Sequence, residues 1–157
     1  MIFGSVSLSS PLSLYSIPAV YFTAMYPHLL KVHTIMGLTG FNNVYPRANT
    51  TEFTANKRVS PKLAGKVKRM EGAHLNGLEA FPLWTAAILV GNLARLDNEY
   101  LNKMSLGFIA LRILFNQIYI YQESNAVGWV RTAVFFGALS CPATLLIKGA
   151  AKFAGQS

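Results

Sequence analysis

Three observations in the 157-residue chain predict an all-α fold, an up-down bundle of four transmembrane helices. First, 52% of the residues are apolar and only 13% are charged, against a charged share of roughly a quarter in ordinary soluble domains. Second, the charges are segregated: Met1 to Leu30 holds no Asp, Glu, Lys or Arg, whereas Arg47 to Arg69 holds seven of the fourteen basic residues. Third, four apolar stretches of helical length alternate with shorter polar connections. A bilayer imposes such a pattern, because a charge at the centre of a spanning helix costs about 2.5 to 3.5 kcal/mol on insertion scales.

The first span reads from Leu12 to Gly37 and contains Pro18 and Pro27, which a bundle tolerates when neighbouring helices satisfy the freed backbone groups. The apolar start lacks the positive flank of a secretory signal and is read as mature helix. Gly37, Gly40 and Asn42-Asn43 break the pattern, and a basic polar loop over 41–59 follows. Ser60-Pro61 is a helix start, with serine as N-cap and proline at the first helical position.

The second helix runs to Ala94. At about 1.5 Å per residue it is roughly 50 Å long, beyond a hydrocarbon core of roughly 30 Å. Its basic first turns therefore project into water or headgroups, and its membrane portion starts near Ala73. Arg95 to Asn98 forms a short turn, a third helix covers 99–122 with Arg112 interrupting its apolar run, and a fourth covers 125–148. Short connections force antiparallel neighbours. Cys141, the single cysteine, lies in an apolar run and reads as a small core residue.

Orientation follows from charge. Phe41 to Arg69 carries seven basic residues and one acidic residue, Glu52, while Arg95 to Lys103 balances two of each; the first loop therefore faces the cytosol. The net charge of +8 is explained by this loop, and nucleic acid is not an expected partner without a folded basic face or groove-reading element. His28, His33 and His74 lack zinc-ligand spacing, so no metal is expected. Phosphate-binding and hydrolase motifs are missing as well.

Polar residues nevertheless recur inside the apolar segments. On a helical wheel Arg69, Gly72, Asn76 and Glu79 fall on one stripe of the second helix, and Arg112, Phe115, Asn116, Tyr119 and Gln122 on one stripe of the third. Two polar seams on adjacent helices make a candidate pocket, with Glu79 as the group most in need of a partner. The purely structural alternative pairs Glu79 with Arg112 or Arg131 and lets Asn76 cap a backbone carbonyl. His74 falls about 140 degrees from Arg69 at ~3.6 residues per turn, facing either the headgroups or another subunit.

The stretch Arg69-Met-Glu-Gly-Ala-His-Leu-Asn-Gly-Leu-Glu-Ala-Phe-Pro82 resembles the signature of the MAPEG family, the membrane-associated proteins in eicosanoid and glutathione metabolism. Tyr45-Pro46-Arg47 is similar to the family's Asn-Pro-Arg element, and Ala110-Leu111-Arg112 with Tyr119 and then Arg131 is similar to its later arginines and tyrosine. The likeness covers nearly the whole chain and is closest to the fungal, microsomal glutathione transferase-like branch. It implies a homotrimer in the endoplasmic reticulum or mitochondrial outer membrane, with glutathione held between subunits near the cytosolic face.

The resemblance further implies that Arg69 and Arg112 grip the glutathione carboxylates, Glu79 holds its ammonium, and His74, Asn76 and Tyr119 complete the binding set. Arg131 becomes the catalytic cation that lowers the thiol pKa from about 8.5. The thiolate then attacks a hydrophobic electrophile or reduces a lipid hydroperoxide. The chain departs from the family where Gly72 stands in place of a common arginine, and where Ala80 and Phe115 stand in place of tyrosines in some members. A non-catalytic lipid-binding scaffold is the alternative, motivated by Gly72. A transporter, which would show repeats and broken helices, is the third and weakest reading.

Overall fold

The computed structural model describes residues 7–155. The reading of the first six residues as mature helix therefore lies outside the described part. A 3-10 turn, Ser13–Tyr15, leads into α1, Ser16–Thr39; then come α2, Asn49–Ala55; α3, Pro61–Leu93; α4, Asn98–Tyr121; and α5, Asn125–Ala154. Among the described residues every regular element is helical.

Local chemistry sets the ends of the helices. Ser60 accepts a hydrogen bond from the Leu63 N–H and Pro61 opens α3. Asp97 caps α4 through the Tyr100 N–H, and Ser124 caps α5 through the Val127 N–H. α3 closes with Arg95 in the left-handed region at φ 52°, and the Leu96 N–H reaches back to the Gly91 carbonyl. A glycine would hold that conformation without the Cβ penalty.

Two expectations are corrected. The stretch 41–59 is not wholly a loop, because α2 lies within it. Seven residues do not sustain a helix in water, but Phe53 is buried against α1 and α3 and Thr50 bonds Glu71, so tertiary contacts hold it. α5 continues past Lys148 to Ala154: Lys148 lies over the Tyr100 ring and Lys152 donates to the Arg95 carbonyl, so these charges are accommodated at the α3–α4 turn instead of ending the helix.

The bundle core has two apolar layers. One gathers Val20, Trp84, Ile88, Leu101, Phe108 and Leu145, with Trp84 and Phe108 stacked at 4.2 Å; Cys141 belongs to it. The other gathers Ile35, Phe53, Val67, Met70, Ala73 and Ile120. Between them, on α1, α3 and α4, lies a polar layer. Pro27 has no N–H to offer the Thr23 carbonyl one turn back, and Asn116 of α4 donates to that carbonyl at 2.7 Å instead. The Arg112 Nη1 donates to Asn76 Oδ1 at 2.9 Å.

Outside, large apolar side chains face away from the bundle, including Phe22, Leu29, Phe136 and Ile147. Soluble monomers rarely expose so much contiguous apolar surface. Among the described residues, α4 and α5 are long and apolar enough to cross a membrane. α1 and α3 are also long, but they carry Lys31 and Glu71, which form an ion pair at 2.8 Å.

α1 packs directly on the backbone of α3 at Gly77, where an added Cβ would sit 2.6 Å from the Ala24 Cβ. Gly77→Ala is expected to push these helices apart and destabilise by about 1 to 3 kcal/mol, read as a lower melting temperature in detergent. Gly137→Ala, where a Cβ meets nothing within 4 Å, should be neutral or slightly stabilising. Arg95→Gly should stabilise by about 1 kcal/mol by relieving the left-handed backbone.

Candidate functional site

The polar stripe of α3 is read out along the bundle from its basic end. Arg69 donates through Nε to the Ile120 carbonyl at 3.1 Å, at the last turn of α4. At Gly72 the chain has no side chain, and Tyr119 of α4 lies against the gap, 2.7 Å from hydroxyl oxygen to the position a Cβ would take. Asn76 accepts from Arg112. Glu79 is exposed, and no hydrogen bond or ion pair joins it to the other described residues.

The structural pairing of Glu79 with Arg112 or Arg131 is therefore not what the chain adopts. Arg112 is 2% exposed; one of its terminal nitrogens goes to Asn76, its plane lies 4.6 Å over the Phe115 ring, and its Nη2 has no protein partner. Asn76 accepts this side-chain bond instead of capping a carbonyl. Arg131 of α5 sits over the Tyr119 ring at 4.8 Å, a cation–π arrangement that holds the guanidinium without neutralising it.

Arg69 and Arg131 line one cleft of about 800 Å³ together with Gln122, Trp129 and Thr132. The Gln122 side-chain oxygen is buried there without a protein partner. Glu123, on the same rim, receives Lys62 at 2.9 Å; this hydrogen bond and charge hold its carboxyl below the usual carboxylate range, so it stays anionic at neutral pH. Two guanidinium groups without an ion-pair partner and the Gln122 amide oxygen facing one cavity suit a ligand with carboxylate or thiolate groups and a few polar hydrogens.

His74 is not in this cleft. Its Nδ1–H donates to the Ala24 carbonyl at 2.9 Å, and its ring lies 4.7 Å from that of His28. Both histidines line a second cleft of about 800 Å³ between α1 and α3, with Arg47, Lys31 and Glu71 on its walls. Thus Arg69, Tyr119 and Arg131 come together, Asn76 and Arg112 bond behind them, and His74 and Glu79 stand apart.

The second cleft was not visible to pattern reasoning. Glu71 takes Lys31 at 2.8 Å and the Thr50 hydroxyl at 2.9 Å, tying α1, α2 and α3 together. Asn49 fixes the preceding loop: its Oδ1 accepts from the Asn42 N–H, and its amide donates to the carbonyls of Asn42 and Pro46. The Asn49 bonds thus hold the chain next to Arg47. A signal for the ion pair did exist, because Lys31 is the first charge in the chain and sits inside an apolar helix, where an unpaired charge is costly.

Lys31 is almost fully buried. Lys31→Met alone leaves Glu71 without its cation, and about 2 to 3 kcal/mol of stability should be lost, below the range for a fully buried pair because Glu71 is partly exposed. Lys31→Met combined with Glu71→Leu should recover most of it. Thermal unfolding of the three proteins in one detergent checks this.

The model of the MAPEG family matches residues 18–151, from the start of α1 almost to the end of α5. No curated protein and no solved structure matches the chain significantly. The matched span includes both clefts, the buried Arg112–Asn76 contact and the two helices apolar enough to cross a bilayer. The chain accordingly belongs to the MAPEG family, integral membrane proteins with roles in glutathione-related or eicosanoid metabolism.

Proposed function

We propose that the protein is a glutathione-dependent transferase or peroxidase of the microsomal glutathione transferase type, acting on hydrophobic electrophiles or lipid hydroperoxides delivered by the bilayer. The observation that carries this reading is the cleft lined by Arg69 and Arg131, neither of them ion-paired, with Arg131 held over the Tyr119 ring. Glutathione brings two carboxylates, an ammonium and a thiol. Arg69 supplies a guanidinium for a carboxylate, and Arg131 one for the sulfur anion. Arg112, already bonded to Asn76, supports the cleft from the interior.

The chemistry asks little of the protein beyond charge. A free thiol near pKa 8.5 is mostly protonated at neutral pH, and an adjacent cation favours the thiolate. With the thiol proton released to water, the sulfur forms a bond to an electrophilic carbon, whose leaving group or carbanion departs or is protonated. In the peroxide reaction the sulfur attacks the terminal oxygen, releasing the lipid alcohol. A second glutathione then displaces water from the sulfur to give the disulfide.

All four long helices span the bilayer in this reading, with the basic loop cytosolic, in the endoplasmic reticulum or mitochondrial outer membrane. Lys31 and Glu71 enter as a pair, which lessens the cost of carrying charge in α1 and α3. A homotrimer supports the remaining group: an exposed, unpartnered Glu79 is expensive against lipid and inexpensive in a shared subunit cleft, where a glutathione ammonium can meet it. His74 and Arg47, on the opposite cleft, join the site from a neighbouring subunit.

Trp129 lines the first cleft and is exposed, whereas Trp84 is buried in the core. Titration with millimolar glutathione should therefore quench the fluorescence of Trp129, and Trp129→Phe should abolish the signal. Arg131→Ala is expected to lower kcat/KM roughly a hundredfold, the scale of losing one charge-stabilising group. Lack of binding at millimolar glutathione would exclude the enzyme. A lipid that raises the melting temperature with no glutathione-dependent product would instead mark a binding scaffold, the reading favoured by the missing side chain at Gly72.

A further inference from the structure

Arg131 has no carboxylate within ion-pair distance among the described residues; its recorded partner is the face of the Tyr119 ring, 4.8 Å from the guanidinium carbon. The position of that ring therefore governs where the cation sits. The ring is itself confined. Phe115 meets it edge-on at 5.5 Å, and on the other side it reaches the bare backbone of α3 at Gly72. A Cβ there would lie 2.7 Å from the Tyr119 hydroxyl oxygen and 3.1 and 3.2 Å from Cζ and Cε1. The first separation is too short for any real contact, so every residue other than glycine forces the ring to move.

We infer that Gly72 is a positioning residue of the cleft: its bare Cα seats the Tyr119 ring against α3, and the seated ring holds the Arg131 guanidinium at the place where it faces a ligand sulfur. The inference rests on the glutathione reading for the identity of that sulfur. The seat itself follows from packing alone. A long arginine side chain loses roughly 2 kcal/mol of rotamer freedom on being fixed, and the ring face restricts it without the neutralising charge that a carboxylate would bring. Arg131 thus remains available to an anion. A shift of the ring by a fraction of an ångström passes to the guanidinium, and misplacements of about 1 Å in a reacting constellation cost on the order of a hundredfold.

The test uses the full-length protein in detergent with glutathione as ligand, comparing wild type, Gly72→Ala, Tyr119→Phe, Tyr119→Leu and the Gly72→Ala/Tyr119→Phe double variant. The bound thiol is titrated by thiolate absorbance, and KM and kcat are measured alongside. Gly72→Ala should raise the apparent pKa of the bound thiol by about one unit, a roughly tenfold loss of thiolate at pH values well below that pKa. The KM for glutathione should change less than about threefold, because the carboxylate contacts lie elsewhere.

Tyr119→Leu, which creates no clash, should reproduce the pKa shift by removing the ring. Tyr119→Phe keeps the ring under Arg131, so the thiol pKa should follow wild type while loss of the hydroxyl is read separately in KM. The double variant should recover toward Tyr119→Phe, since the 2.7 Å contact is gone and the remaining two ask for only a few tenths of an ångström. Tyr119→Leu keeps the test decisive if Gly72→Ala does not fold.

If wild type lowers the thiol pKa but Gly72→Ala and Tyr119→Leu lower it equally, the inference is overturned and the glutathione reading stands. Independent, multiplicative effects of Gly72→Ala and Tyr119→Phe would also overturn it. If wild type neither binds glutathione nor shifts its thiol, the reading of the site fails first and the inference falls with it.

Discussion

A guanidinium buried in an apolar bundle has to be answered by neighbours, and the arrangement of three helices follows from how Arg112 and the groups beside it are answered. Arg112 donates to Asn76 of α3 while its flat face covers Phe115. One turn away, Asn116 donates to the Thr23 carbonyl that Pro27 leaves free on α1. These bonds lie between two apolar layers that would otherwise permit sliding. Buried polar pairs add little net stability over well-packed apolar residues, but a misaligned pair is strongly penalised. The polar layer thereby fixes the register of α1, α3 and α4.

That register sets the first cleft. With Asn76 opposite Arg112, Gly72 comes opposite Tyr119 and Arg69 opposite the Ile120 carbonyl, each step about one turn along α3 toward its basic end. α5 then lays Arg131 on the outer face of the Tyr119 ring. The second cleft depends on a different tie, in which Glu71 joins Lys31 and Thr50 so that α2 packs on α3. Both clefts are built on rigid helices, and the loop that carries Arg47 is held by the Asn49 side chain. Precision of this kind is what catalysis by charge placement requires.

The membrane enters through the same accounting. Apolar side chains point outward from every long helix, whereas the charges of α1 and α3 meet each other inside the chain. Only α4 and α5 are apolar enough by composition to cross a membrane among the described residues. α1 and α3 carry the Lys31–Glu71 pair inside the chain, whereas Glu79 of α3 faces outward.

The sequence by itself determined the four long helices, the Ser60 cap, the polar stripes on α3 and α4 and the apolar character of Cys141, because capping and a period of about 3.6 residues act within one segment. The family signature around Asn76 and Glu79 was legible for the same reason. Only the tertiary structure decided that α2 is helical, that Lys31 meets Glu71, that His74 turns to Ala24, that Glu79 pairs with neither arginine, and that Tyr119 occupies the gap at Gly72. Helical periodicity fixes the angle at which a side chain leaves its own axis. The distance to another helix, and which group waits there, is set by packing between segments far apart in the chain.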